Sequence, residues 1–197
     1  MKADSDEIGG SERLSAGRGP VRHELVFPLD EFYARERVAL PRIEVVAPEQ
    51  VPEPFRSLLV HDRDMTPTLE AHYRGEIHIE VWGRERQGDF YYREVVLCLD
   101  RDQRPVEFGA NKVNLALFEP AVRRLILDEY LPLGHILHLR QVPHHGGPLG
   151  YLRIESDALM NRAFRLAGQH ILYGRRNTIR DPQGRPLSET VEILPPV

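Results

Sequence analysis

The stretch IHIEVWGRERQGDFYYREVVLC, residues 77–98, decides the fold. Ile77, Ile79 and Val81 alternate with His78 and Glu80, so an extended chain here has one apolar and one polar side, the pattern of a half-buried strand. Residues 83–88 begin and end in glycine and turn the chain. Residues 90–98 then run aromatic and β-branched, which predicts a second strand. Strands joined by so short a turn pair antiparallel. Asp100, Asp102 and Pro105 supply turn chemistry before a third strand at 106–115.

Upstream, residues 55–59 and 65–73 read as two short helices around the polar bend His61-Asp62-Arg63-Asp64. Residues 41–54 hold four prolines and predict an extended connector. A short helix fits 31–37, with Asp30 placed to cap it. Residues 1–20 are polar and rich in Gly and Ser, the composition of a disordered tail. Downstream, Pro120 suits a first helical turn, followed by Val122, Leu125 and Ile126 at helical spacing. Residues 141–150, with His144, His145, Gly146, Gly147 and Pro148, read as a loop. Ser156 or Asp157 can cap a helix that Gly168 ends, and a hairpin over 171–194 turns at Asp181-Pro182-Gln183-Gly184. This order predicts an α+β fold: a single antiparallel sheet with helices on one face. The chain divides into a tail (1–20), a Pro-rich lead-in with a short helix (21–54) and one domain (55–197).

The 197 residues are 41% hydrophobic and 28% charged, ordinary for a globular chain. There is no run of the roughly 20 apolar residues that a membrane span needs, and no apolar leader core at the N-terminus. Cys98 is the only cysteine, so neither an internal disulfide nor a cysteine-cluster metal site is expected, and a cytoplasmic location is. A net charge of −4 argues against a general nucleic-acid binder. Of 26 basic residues, only Lys2 and Lys112 are lysines. Codon bias accounts for such an imbalance, and so do arginines recruited to hold carboxylates.

Arg93 is the residue to watch. It shares a strand side with Val95 and Leu97, so its guanidinium either pairs with a buried acid or points into a pocket. The fork of an arginine matches a planar carboxylate.

The segment Tyr91-Tyr92-Arg93-Glu94-Val95-Val96-Leu97-Cys98 resembles the aromatic-x-Arg-Glu-aliphatic-aliphatic-Leu-Cys strand of the bacterial chorismate lyases. Leu58-Leu59, Met65-Thr66 and Leu69-Glu70 are similar to that family's helix pair. Pro132-Leu133-Gly134 with Leu137, Tyr173-Gly174-Arg175-Arg176, and Gly184-Arg185-Pro186-Leu187 are similar to its later landmarks, in the same order. The resemblance spans roughly residues 55–195. It implies a sheet of about six antiparallel strands with helical flaps over a buried ligand pocket, and no metal or organic cofactor. It implies a lyase that eliminates pyruvate from chorismate to leave 4-hydroxybenzoate or another hydroxybenzoate. Arg93 would bind a substrate carboxylate, Glu192 would face the ring hydroxyl and take the ring proton, Leu133 would add a backbone contact, and Met65 would close the flap. Arg175 and Arg176 would support the substrate's charge. Glu189 competes with Glu192 for the pocket-facing position.

The alternative is a non-enzymatic binding module for an aromatic acid, since the same fold type serves as the sensing domain of some bacterial regulators. No basic recognition helix is legible in residues 1–54, so a nucleic-acid partner is not expected. His135, His138, His144 and His145 read as solvated histidines for want of a nearby acidic ligand. Lys112 reads as a solvated strand-edge lysine in preference to a Schiff-base nucleophile.

Overall fold

The computed structural model describes residues 22–196. The tail expected at 1–20 lies outside the described residues.

The chain opens with a single helical turn, α1 (His23–Val26), and α2 (Leu29–Glu36). Pro28 sits at the N-terminal boundary of α2, so Asp30 falls inside the first turn and its carboxylate favours the positive helix end instead of capping it. Then follow β1 (Ile43–Val46), α3 (Phe55–Leu59), α4 (Met65–Tyr73), β2 (Ile77–Gln87), β3 (Phe90–Leu99) and β4 (Pro105–Asn114). The second half holds α5 (Pro120–Leu127), α6 (Leu133–Leu139), β5 (His145–Glu155), α7 (Ala158–Phe164), β6 (Ile171–Arg180) and β7 (Pro186–Leu194). Of the two candidate caps for α7, Asp157 does the work: its side chain accepts from the Met160 amide at 2.9 Å. The helix ends at Arg165, in the left-handed region, before it reaches Gly168.

All seven strands form one antiparallel sheet in the order β1-β5-β6-β7-β4-β3-β2. The α+β class and the single antiparallel sheet are as expected; the strand count is seven, not six. The two unforeseen strands, β1 and β5, pair with each other at one edge. In β1, Pro41 and Pro48 flank the strand without entering it. In β5, the run Gly146-Gly147-Pro148 hides extended backbone behind turn residues. Pro148 costs the sheet little because β1 covers only residues 151–154, so β5 is an edge at Pro148, and its pairing with β6 slips there.

Helices cover both faces of the sheet, where the sequence predicted one. Strand β3 is buried along nearly its whole length, the mark of a strand packed on both sides. Its residues 92, 96 and 98, with Phe108 and Ala110 of β4, pack under Leu29, Phe32 and Tyr33 of α2 and Met160 and Phe164 of α7. On the other face, Val95 and Leu97 pack under Leu58 and Leu59 of α3 and Met65 and Leu69 of α4. Tyr91 and Val113 meet Ile126 of α5 and Leu137 of α6 on that same face. The lead-in is therefore part of the packed body.

Two glycines let β7 lie close between its neighbours. A Cβ on Gly109 would sit 2.0 Å from the carbonyl oxygen of Val191, and one on Gly174 would sit 2.5 Å from that of Glu192. Because the obstructing atoms are backbone, neither can turn aside. Gly109→Ala is expected to lose about 1–3 kcal/mol or more in urea unfolding, as overpacking does. Gly147→Ala, whose Cβ would meet nothing, is expected to stay within about 0.5 kcal/mol of the parent. Equal stabilities would refute the close-approach account.

Candidate functional site

A cleft opens on the face carried by α3–α6. Its floor is the sheet: Arg93 and Val95 of β3, Glu107 and Asn111 of β4, Ile179 of β6, and Thr190 and Glu192 of β7. Its roof is the start of two helices, Asp64-Met65-Thr66 at α4 and Pro132-Leu133-Gly134 at α6. Strand register explains the floor. Arg93 lies opposite Asn111, Asn111 opposite Thr190, and Gly109 opposite Glu192, so alternate residues of three adjacent strands converge. The cavity holds about 50 Å³, room for a few waters. Admitting an aromatic acid requires the α4 and α6 roof to move outward.

One end is cationic. Arg93 is 2% exposed, and its Nε and Nη1 have no hydrogen-bond partner among the described residues. Burial lowers its affinity for a proton, opposed by the Tyr91 and Glu129 groups nearby. A desolvated cation without a partner costs several kcal/mol, so this guanidinium, unpaired among the described residues, is an unusual feature of the cleft floor.

The other end is acidic. Glu192 is paired with Arg175 on the neighbouring strand. Arg175 is wholly buried, and its remaining donors go to the carbonyls of Leu59 at 3.2 Å, His61 at 3.0 Å and Arg63 at 3.1 Å. It fixes Glu192 and ties the bend before α4 to the sheet. Glu107 is also buried, and its Oε2 has no hydrogen-bond partner among the described residues. Burial first, and the Glu192 charge second, push its carboxyl well above the usual carboxylate range, against the pull of Arg175. The shift favours the protonated form of Glu107. Between the ends, Asn111 gives its amide N–H to Ser188 at 2.9 Å and Thr190 at 3.2 Å, and its Oδ1 is left as an unmatched acceptor. Glu107 lies four residues along β4 from Asn111, about 13 Å at strand rise.

Arg93, Glu192, Met65 and Leu133 thus line one cleft, and Arg175 stands directly behind Glu192. Arg176 does not reach it. One residue on, it points to the opposite face, where it binds Glu189 at 2.9 Å and the Glu24 carbonyl at 3.1 Å. Glu189 lies there too, bridging Arg176 and Lys112. Lys112 is accordingly paired, and sits over the Phe27 and Phe90 rings. Two of the four histidines are likewise engaged: His144 bonds Asp64 at 2.9 Å, and His135, in α6, approaches Glu70 at 3.4 Å. Sequence reasoning missed Glu107 and Asn111. The alternation of β4 carried the signal, since both fall on the side opposite Phe108 and Ala110, polar residues in a strand buried on both faces.

Glu94 points away from the cleft, into the packed layer beneath α2 and α7. It is 2% exposed, and burial, then the charge of Glu36, raise its carboxyl to about 7. The folded state therefore holds a proton that the unfolded chain releases near pH 4.5, so stability falls as pH rises from about 4.5 to 7 and then levels. At 1.36 kcal/mol per unit the loss is about 3 kcal/mol. Glu94→Gln is expected to match the parent at pH 4.5 and to exceed it by that order at pH 8 in urea unfolding. A gap that does not widen with pH would contradict the assignment.

No protein-family model matches the chain, and no curated protein matches it. Solved structures do. The effector domain of PhnF from Mycobacterium smegmatis aligns with a TM-score of 0.51 at 11% identity, covering 67% of this chain and 88% of that one. The C-terminal domain of the histidine utilization repressor from Pseudomonas syringae pv. tomato aligns at 0.40 and 13%, covering 61% and 92%. YydK from Bacillus subtilis, a possible transcriptional regulator, aligns at 0.47 and 7%; the match covers 60% of this chain and 58% of that one. The PhnF likeness supports the chorismate lyase-like fold that the sequence resemblance implies. Among the described residues, no helix is long and apolar enough to cross a membrane.

Proposed function

We propose that the cleft binds a small organic acid, with the ligand carboxylate on Arg93 and a hydroxyl group at the Glu107–Glu192 end. The observation that carries this reading is the buried guanidinium of Arg93, whose Nε and Nη1 have no hydrogen-bond partner among the described residues. A ligand hydroxyl there meets the buried Glu107 and Glu192 carboxyl groups, while Asn111 Oδ1, across the strand pair from Arg93, is an acceptor nearer the middle of the cleft. Ile79, Val95 and Leu97 supply an apolar wall suited to a flat ring. The PhnF domain of similar fold is an effector domain, in keeping with a ligand-binding role. Titration calorimetry with 4-hydroxybenzoate tests it; absence of binding at millimolar acid would overturn it.

A second reading is favoured by the meeting of Arg93, Glu192, Met65 and Leu133 in one cleft: a cofactor-free lyase acting on chorismate. Here Glu192, or a water it orients, takes the proton from the ring carbon that bears the hydroxyl. The ether bond breaks, the ring becomes aromatic, and the departing enolpyruvate accepts a proton to become pyruvate. Glu107 is placed to give that proton. Aromatisation drives the step downhill, so positioning and proton transfer suffice. Chorismate incubated with the protein and lactate dehydrogenase separates the two readings. NADH consumption above the spontaneous rate, with a hydroxybenzoate identified by chromatography, selects the lyase; binding without turnover selects the binding domain.

A further inference from the structure

We propose that His78, Glu80 and Cys98 form a site for one divalent transition-metal ion, on the sheet face opposite the Arg93 cleft. His78 and Glu80 are two apart on β2 and so point the same way; Cys98 lies directly across from His78 on β3. One ligand atom from each falls within 4.8 Å of the others. The set of one imidazole, one carboxylate and one thiol is chemistry that zinc accepts, and three protein ligands leave a fourth tetrahedral position for water.

The surroundings of these residues support the assignment. His78 Nδ1 lies 2.6 Å from the Asp100 carboxylate, which orients the ring and leaves Nε2 for an ion. The Trp82 indole N–H reaches the Glu80 carboxylate at 3.4 Å and fixes its direction. β2 is the edge strand of the sheet, and His78 and Glu80 are half-buried there while Cys98 lies behind them. An ion enters from the open edge and meets the sulfur last. Coordination takes the thiolate, so the Cys98 proton leaves to solvent on binding. No spacing motif announces the site, because the ligands come from two strands and meet only through the register of β2 on β3.

Cobalt(II) added to the full chain gives the test. The expected result is uptake of one equivalent, with a near-ultraviolet thiolate-to-cobalt charge-transfer band that zinc abolishes by displacement. Cys98→Ser should remove the band, and His78→Gln should weaken uptake while the fold is retained by circular dichroism. Asp100→Asn should weaken it about tenfold, as loss of an orienting partner does. His144→Gln should change nothing, which excludes that histidine as a ligand. Absence of stoichiometric uptake, or a cobalt spectrum that lacks the thiolate band, would overturn the proposal. The 4-hydroxybenzoate titration is independent of it.

Discussion

Replacing Arg175 by methionine is expected to destabilise the fold by about 3–5 kcal/mol, the cost of breaking a buried ion pair from one side. The guanidinium is wholly buried between Glu192 and three backbone carbonyls of the bend before α4. Methionine fills much of its volume, but it leaves those carbonyls without donors. It also leaves Glu192 and Glu107 facing each other without the cation that both sense. Arg175→Lys keeps the charge and loses the fork, so an intermediate loss is expected. Arg175→Met combined with Glu192→Leu should recover a large part of the deficit, because an apolar pair of similar volume replaces a buried ion pair at little cost. Urea unfolding of the parent, Arg175→Met, Glu192→Leu and the double variant measures the coupling. A loss below about 1 kcal/mol for Arg175→Met would mean that the pair does not hold the α4 bend to the sheet.

Arg93→Met should behave in the opposite way. Arg93 makes no hydrogen bond within the described residues, so removing it takes nothing from the fold and relieves a desolvated charge. Stability is expected to be unchanged or higher. Ligand affinity is expected to collapse. Two charge-assisted hydrogen bonds to a carboxylate are worth about 3 kcal/mol or more in sum, roughly a 100-fold rise in Kd for 4-hydroxybenzoate. Two buried arginines of one sheet face are thus separated by what they touch. Arg175 holds Glu192 in place; Arg93 makes no hydrogen bond among the described residues and is the proposed receptor for the ligand. A variant of Arg93 that unfolds the protein yet binds normally when folded would reverse these roles.

The fold was legible wherever side-chain alternation was strong. Residues 77–98 declare their hairpin because apolar and polar residues alternate in one strand and β-branched and aromatic residues crowd the other. β1 and β5 were not legible. Their residues make good strands only beside each other, and the glycines and prolines around them carry turn signals that tertiary pairing overrides. The same limit applied to the site. Arg93 stood out as a charge on an apolar strand side. Alternation alone separates Arg175 from Arg176 and Glu189 from Glu192 but does not say which of each pair faces the cleft. That depends on the register of β6, β7 and β4, which pairs Arg175 with Glu192 on one face and leaves Arg176 and Glu189 on the other. Glu107 was invisible for a related reason. A glutamate in a strand reads as solvent-facing until the lid of α4 and α6 is known to lie above it.

The most direct test of the account is a paired calorimetric titration of the protein with 4-hydroxybenzoate and with its neutral analogue 4-hydroxybenzamide. These share ring and hydroxyl and differ in the group that would meet Arg93. The account predicts that the acid binds about 100-fold more tightly than the amide, and that Arg93→Met erases the difference. Equal binding of acid and amide, or a preference for the acid that survives in Arg93→Met, would contradict the claim that Arg93 is the carboxylate receptor of this cleft.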